Sequence, residues 1–305
     1  MPEIEGLSRK QEYTVRTIIG LAALARSGKD TVASMLLSFP GVAAFALADP
    51  LKTGCQALFG LTEAETWQDD LKERSIELWG KSPREFFQTV GTEWMRHHNA
   101  DHWLMRAARE INPPERPSTP SALPDLNAPD APFRLAAQAF FDFSDHQMWN
   151  ASASKVRDEY WALSPDDAVE LLKKYAYDLF PNFDALRSKR PVEQPLRRSQ
   201  IPAGTQTIII KDIRFENEAA FLRAHNGEIW HISRPDLPKV NAHSSELGVA
   251  HKSGDLHLVN DGSLADLERT VSKAWSAHSD RHNKNHNPSQ SDVPNTQPGE
   301  EGGHN

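Results

Sequence analysis

The residues with the clearest chemical potential stand in one short loop, Ala23-Leu24-Ala25-Arg26-Ser27-Gly28-Lys29-Asp30-Thr31. It fits a G-x-x-x-x-G-K-[ST] frame, the Walker A pattern, in which successive backbone amides and a helix N-terminus hold phosphate oxygens. Ala25, Arg26, Ser27, Gly28, Lys29, Asp30 and Thr31 are the expected contacts to a nucleoside triphosphate. Gly28 permits close approach, Lys29 would bridge the β- and γ-phosphates, and Thr31 is placed to bond the α-phosphate. Two positions depart from the frame. Ala23 stands where the first glycine is usual, which weakens the loop's access to unusual backbone angles. Asp30 replaces the hydroxyl residue and would hold Mg2+ directly or through water, because a carboxylate beside phosphates needs a cation between them.

Such a loop needs a strand before it and a helix after it, and the pattern supplies both. Thr17–Ala25 is a short apolar run, and Val32, Met35, Leu36 and Phe39 follow helical spacing. A second strand is expected over Ala43–Ala48, and several helices between Glu63 and Arg109. Their start signals are Thr62-x-x-Glu65 and Ser82-Pro83-x-Glu85. Thr207-Ile-Ile-Ile-Lys-Asp212 is a third strand whose terminal acid has Walker B character, so Asp212 joins Asp30 as a candidate Mg2+ ligand. A helix over Asn217–His225 is ended by Gly227, Glu228–Ser233 and Leu256–Val259 are further strands, and Ser263 caps a helix to about Ala277. Short apolar strands alternating with helices predict an α/β fold, a parallel sheet covered on both faces.

Composition narrows the class. The 305 residues carry 34 Lys+Arg against 42 Asp+Glu, a net charge of −8, which argues against a large surface for nucleic acid. The lone Cys55 excludes an internal disulfide and suits a reducing cytoplasm. No apolar run approaches a membrane span. Ile18–Ala25 after Arg9, Lys10 and Arg16 resembles a signal peptide, but Glu3, Glu5 and Glu12 spoil its basic region. Seven of the 21 prolines fall between Pro113 and Pro132, which reads as an extended linker. From His278 to Asn305 the chain is almost wholly polar, an expected disordered tail whose histidines could bind metal adventitiously. The expected organisation is a core of residues 14–111 and 205–277, an interruption at 112–204 of linker and helical insertion, and a tail at 278–305.

Several motifs recur in one order: Ser27-Gly-Lys-Asp-Thr31, Ala48-Asp-Pro-Leu-Lys52, Ser82-Pro-Arg84, Gly91-Thr-Glu-Trp94-x-Arg96, Asp101-x-Trp103 and Asp212-Ile-Arg-Phe-Glu-Asn-Glu218. Together with His243-Ser-Ser-Glu246 and Asn260-Asp-Gly262, this series resembles the deoxynucleoside monophosphate kinases of tailed bacteriophages, over roughly residues 14–111 and 205–277. The resemblance implies a P-loop kinase fold and Mg2+-dependent transfer of the γ-phosphate of ATP to a deoxynucleoside 5′-monophosphate. It also implies a role in DNA precursor supply in the host cytoplasm, with no membrane or nucleic-acid partner. Such catalysis is mostly positioning and charge neutralisation. Lys52, Arg84 and Arg96 are cations suited to the acceptor phosphate, and Asp49 could orient its surroundings or a Mg2+ water. Gln88, Thr92 and Glu93 suit a base edge, and Phe86, Phe87 and Trp94 could stack on it, although aromatics at helical spacing also form core. Lys29, Asp212 and Arg214 form the expected catalytic set, Arg214 stabilising transferred phosphoryl charge or serving as a structural ion pair.

The segment 112–204 has no place in the compact family plan. Part of it echoes an earlier stretch: Trp149 … Lys155 … Trp161-Ala-Leu-Ser-Pro165 follows the cadence of Trp67 … Lys72 … Trp79-Gly-Lys-Ser-Pro83. A partial duplication of the acceptor-side helices is one explanation, with Asp166 in place of the arginine after Ser-Pro and no second Gly-Thr-Glu. A helical lid and coincidence are the others. Two rival functions stay open at this point, a kinase for another small phosphorylated acceptor such as dephospho-coenzyme A or phosphomevalonate, and a nucleotide-binding protein without turnover.

Overall fold

The structure is a computed structural model, and it describes residues 16–24, 26–114, 122–196, 201–235 and 249–286, apart from the side chains of Asp212 and of 283–286. Its centre is a five-stranded sheet: β1 (Thr17–Ala23), β2 (Val42–Phe45), β3 (Thr207–Ile213), β4 (Gly227–Ser233) and β5 (Leu256–Val259). All pairings are parallel, in the order β2-β3-β1-β4-β5. Side chains alternate between the faces. Ile19, Leu21, Ile209 and Trp230 pack under α1 (Lys29–Leu36) and α11 (Leu264–His286). Ile18, Ile208, Ile210 and Ile229 pack under α5 (His102–Ile111) and α10 (Glu216–Ala224). The expected fold class holds.

Because β1 feeds α1 on one face and its neighbour β3 feeds α10 on the other, the chain parts beyond the carboxyl ends of these strands. That crevice is where open α/β sheets receive ligands.

Three boundaries differ from expectation. β2 stops at Phe45, because a turn closed by Asp49 N–H donating to Ala46 O leads into α2 (Asp49–Phe59). The left-handed residue after α10 is Asn226 (φ 56°), and Gly227 instead opens β4. The last helix continues past Ala277 to His286, so residues 278–286, expected in the tail, are helical. Its extra turns are held at buried His278 and at Arg281, which both meet Glu228 of β4. Residues 287–305 lie outside the described residues, as do His243–Glu246 of the motif series.

The remaining helices form a second layer with its own aromatic core. They are α2, α3 (Glu63–Trp67), α4 (Pro83–Gln88) running into a π-helix (Thr89–Arg96), α6 (Ala131–Phe141), α7 (Asp145–Trp149), α8 (Pro165–Leu179) and α9 (Phe183–Arg187). Phe59, Trp79, Phe86, Phe133, Phe140 and Trp161 are buried together there. Both start signals form capping boxes, Thr62 with Glu65 and Ser82 with Glu85, and such caps are worth about 1 kcal/mol each. Pro132 lies in the first turn of α6 rather than in the linker, where its missing amide goes unused.

The echo in the sequence is a structural repeat with a constant offset of 82 positions. The capping box of Thr62 and Glu65 recurs at Ser144 and Gln147, and that of Ser82 and Glu85 at Ser164 and Asp167. The bridge between Ile76 and Lys81 recurs between Asp158 and Leu163. The left-handed residues Gly60 and Gly80 correspond to Asp142 and Ala162. Lys52 lies over Trp67 as Arg134 lies over Trp149. The first helices of the two copies, α2 and α6, pack so closely that a Cβ on Gly54 would collide with the Phe140 ring.

Candidate active site

The phosphate loop leaves β1 in a tight turn. Ser27 is buried, and both its N–H (3.3 Å) and its Oγ (2.8 Å) donate to Leu24 O. Gly28 (φ 96°) is the residue before α1, and its carbonyl accepts from Val32 N–H, so the helix N-terminus opens at the loop. Asn260, just past β5, donates from Nδ2 to Ser27 O at 3.0 Å and occupies the space a Gly28 side chain would need. Positive φ is required at Arg26 (64°) and Gly28, but Ala23 is an ordinary strand residue. The departure at Ala23 therefore places no strain on the loop, contrary to expectation. Lys29 and Thr31 are half-buried and Asp30 is exposed in the first helical turn, while Ala25 lies outside the described residues.

Beside this loop, β3 ends in a β-bulge. Gly20 pairs with Ile210 and Ala22 with Ile213, so β3 carries an extra residue across the Lys211–Asp212 step. Bulges re-aim strand residues and are frequent at active sites. Arg214 follows on the exposed turn into α10, where Glu218 Oε2 accepts from the amides of Arg214 (2.9 Å) and Phe215 (3.2 Å).

The same end of the sheet carries a cavity of about 280 Å3. Leu47, Ala48 and Leu51 line it from the start of α2, Arg84, Phe87 and Gln88 from α4, Thr92 and Arg96 from the π-helix, and Asn217 and Glu218 from α10. Trp103 completes the apolar wall and donates its Nε1–H to Gly91 O at 3.0 Å. Single-turn π segments within helices are frequent at functional sites. Here the π-helix carries Gly91-Thr92-Glu93 and brings Thr92 and Arg96 to one wall, with Arg96 over the Phe215 ring at 5.1 Å.

Next to the cavity is a cluster of cations. Arg84 N–H donates to Lys72 O at 2.9 Å, which folds the Lys72 turn onto α4. The Arg84 and Lys72 side chains pair with Glu73 and Asp69. Lys52 stands 4.9 Å over the Trp67 ring. Burial holds the Lys52 pKa below the usual lysine range, and the positive Lys72 and Arg84 add to the effect against the pull of Asp49 and Asp69. Crowded cations of this kind suit an anion, whose arrival relieves their repulsion.

Arg84, Gln88, Thr92 and Arg96 are thus brought together in one cavity. Trp94 is not: it faces the core, 5% exposed and stacked on Tyr175 at 5.3 Å, because the π-helix turns it away from the cavity. Phe86 is likewise core, stacked on Phe59. Glu93 is exposed and, like Asp49 and Lys52, is not among the cavity's lining residues. Lys72, Asn217 and Glu218 join the site beyond the residues expected from the sequence. Lys72 reaches Arg84 through a turn with no sequence signature, whereas Asn217 and Glu218 belong to the Asp212–Glu218 motif.

A family model described as deoxynucleotide monophosphate kinase matches residues 197–271, which include β3, α10, β4 and β5. Two similar proteins bear the same description. One is the "Putative deoxynucleotide monophosphate kinase" of Acanthamoeba polyphaga mimivirus, 24% identical over 254 residues that cover 82% of this chain and 91% of the relative. The other is the deoxynucleotide monophosphate kinase of Enterobacteria phage T4, 24% identical over 253 residues, covering 82% and 95%. The ordered motifs, the parallel sheet that carries them and the similarity along most of the chain make it similar to the deoxynucleotide monophosphate kinases.

Proposed function

We propose that the chain transfers the γ-phosphoryl group of ATP to a deoxynucleoside 5′-monophosphate. The observation that carries this reading is the cavity of Arg84, Gln88, Thr92 and Arg96 at the carboxyl end of the sheet that also bears the phosphate loop. Two polyanions meet there, and one loop and one cationic cluster serve them separately.

The loop amides around Ser27 and Gly28 hold the ATP phosphates, and Lys29 draws charge from the β- and γ-phosphates. Arg84, with Lys52 and Lys72 behind it, holds the acceptor phosphate. Gln88 and Thr92 address the base edge, and Phe87 and Trp103 form the apolar walls around it. An acceptor phosphate oxygen attacks the γ-phosphorus, the bond from that phosphorus to the ADP oxygen breaks, and dNDP and ADP result. Arg96 lies over the ring of Phe215, the residue after Arg214, and Arg214 counters charge on the transferring group. Asp30 and Asp212 offer hard carboxylate oxygens suited to Mg2+, which when bound neutralises phosphate charge. The cytoplasm, where ATP is abundant, is the compartment this reading calls for.

Release of ADP from ATP and Mg2+ is measured with a panel of dNMPs, rNMPs, dephospho-coenzyme A and phosphomevalonate. A dNMP should accelerate release in the native protein and not in Lys29→Ala. Acceleration only by a non-nucleotide acceptor, or ATP binding without turnover on any acceptor, sinks the proposal.

A further inference from the structure

The opposite edge of the sheet carries a second cluster that phosphoryl transfer does not use. Glu228 is the second residue of β4, and His278 and His282 are one helical turn apart on α11. We propose that Glu228, His278 and His282 form a structural site for a zinc-class divalent metal, pinning α11 to the amino-terminal edge of the sheet.

The geometry is that of a ligand set. His278 Nδ1 lies 3.2 Å from Glu228 Oε2, and His282 Nε2 lies 3.6 Å from Glu228 Oε1. One ligand atom from each residue can be chosen so that all lie within 4.8 Å of one another. Metal–ligand bonds of about 2.0–2.2 Å at tetrahedral angles place ligand atoms about 3.4 Å apart, between the two separations found here. Water would take the fourth position.

His278 is the anchor. Its side chain is 2% exposed, and among the described residues Nδ1 has no well-directed hydrogen-bond partner although the carboxylate is close. The other ring nitrogen, Nε2, lies 3.3 Å from Thr17 Oγ1, which is 2.9 Å from Thr207 Oγ1. With Nε2–H donating to Thr17, Nδ1 presents its lone pair toward Glu228. This is the arrangement in which an outer hydrogen bond fixes the tautomer of a metal-binding histidine.

One contact opposes the metal. Arg281 Nη2 donates to both Glu228 oxygens, at 2.8 and 2.9 Å, and Trp230 Nε1 donates to Oε2 at 3.1 Å. Arg281 is the exposed member of the group, with a side chain 53% accessible, so it can swing out to water as the metal enters. This opposition separates a metal site from a proton-bridged hub. Removing Arg281 strengthens the first and weakens the second.

Co2+ serves as the probe, titrated into the full chain by calorimetry and visible absorption. The expected result is one Co2+ per chain with the intense visible bands of a four-coordinate ion, displaced by Zn2+, and a higher melting temperature with metal. His282→Ala should weaken binding by about 100-fold or more, and Arg281→Ala should tighten it. His257→Ala, which changes a histidine elsewhere on the surface, should leave it unchanged. If His282→Ala fails to fold, metal-dependent protection of the 25% exposed His282 from diethylpyrocarbonate in the native protein gives the same answer. Absence of Co2+ binding, binding indifferent to His282→Ala, or no protection of His282 overturns the proposal.

Discussion

Trp79 and Trp161 make the same bond in two places: each indole Nε1–H donates to the carbonyl twenty residues before it, Phe59 O at 3.1 Å and Phe141 O at 2.6 Å. The pair marks two copies of one helical module whose packing was kept while its charges changed. Position by position, Lys52, Lys72 and Arg84 in the first copy face Arg134, Ser154 and Asp166 in the second. Arg134 there is already engaged, by Asp130 at 2.9 Å, Asp166 at 3.4 Å and Met148 O at 2.7 Å. Where the first copy has a cluster of cations, the second has an internal ion pair.

Arg84→Ala and Asp166→Ala should therefore diverge. A charge-assisted hydrogen bond contributes about 1.5–3 kcal/mol, so Arg84→Ala should raise the KM for the monophosphate by roughly ten- to a hundredfold. Asp166→Ala should leave that KM unchanged and lower stability by at most about 1 kcal/mol, the range of partly exposed ion pairs. Steady-state kinetics and urea unfolding of the two variants measure both quantities.

In the phosphate loop, Gly28→Ala should abolish tight ATP binding, while Ala23→Gly should change it by less than about twofold. Gly28 holds φ 96°, which costs a side-chain-bearing residue roughly 1–2 kcal/mol, and its Cβ would displace Asn260 from Ser27 O. Ala23 needs no such angle. Calorimetric titration with ATP tests the contrast, and a large gain from Ala23→Gly would show that the strand end, not Gly28, limits the loop.

Trp103→Phe should weaken the acceptor site without touching ATP. The ring is kept, but the Nε1–H to Gly91 O bond at 3.0 Å is lost, at a cost of about 1 kcal/mol. Gly91 lies within the π-helix that presents Thr92 and Arg96, so the loss should appear as a raised KM for the monophosphate with an unchanged KM for ATP. Equal changes in both would mean that the bond serves stability alone.

How much of this was legible in the sequence depended on whether the governing interaction was local. The loop, its strand and helix, and both capping boxes are set by neighbours within a few residues, and their residue types announce them. Arg84 and Arg96 were legible as charges in a motif. Whether Trp94 or Trp103 faces the cavity was not, because that choice is made by a π-helical turn whose cause is tertiary. The bulge at Lys211–Asp212 depends on strand register, and the position of Lys72 on a turn closed by Arg84. The longer last helix is not legible in the sequence, because polar composition looks the same in a solvated tail and in a helix held at two or three points.

His102 gives the protein an acid-sensitive joint. It is 1% exposed between Trp103, Phe141 and Trp161, at the contact between α5 and the helical insertion. Burial, with the nearby His98 and Arg106 charges, holds its pKa down to about 3 against an ordinary 6.5, only partly offset by a hydrogen bond with the Phe140 backbone. The unfolded ring takes a proton near pH 6.5 and the folded ring does not until about 3, so its stabilising contribution is full above 6.5 and is lost as pH falls between those values. At pH 5 the linkage removes about 2 kcal/mol relative to pH 7. The carboxylates of Glu228 and Asp255, both held at about 2, lose their contributions only as pH falls below their ordinary values of 4.5 and 3.8. A comparison between pH 7 and pH 5 therefore isolates the imidazoles. Urea unfolding at the two values should show native protein losing about 2 kcal/mol more than His102→Phe, which keeps the aromatic packing and has nothing to protonate. Equal losses in the two proteins would mean that the ring accepts its proton without leaving the fold.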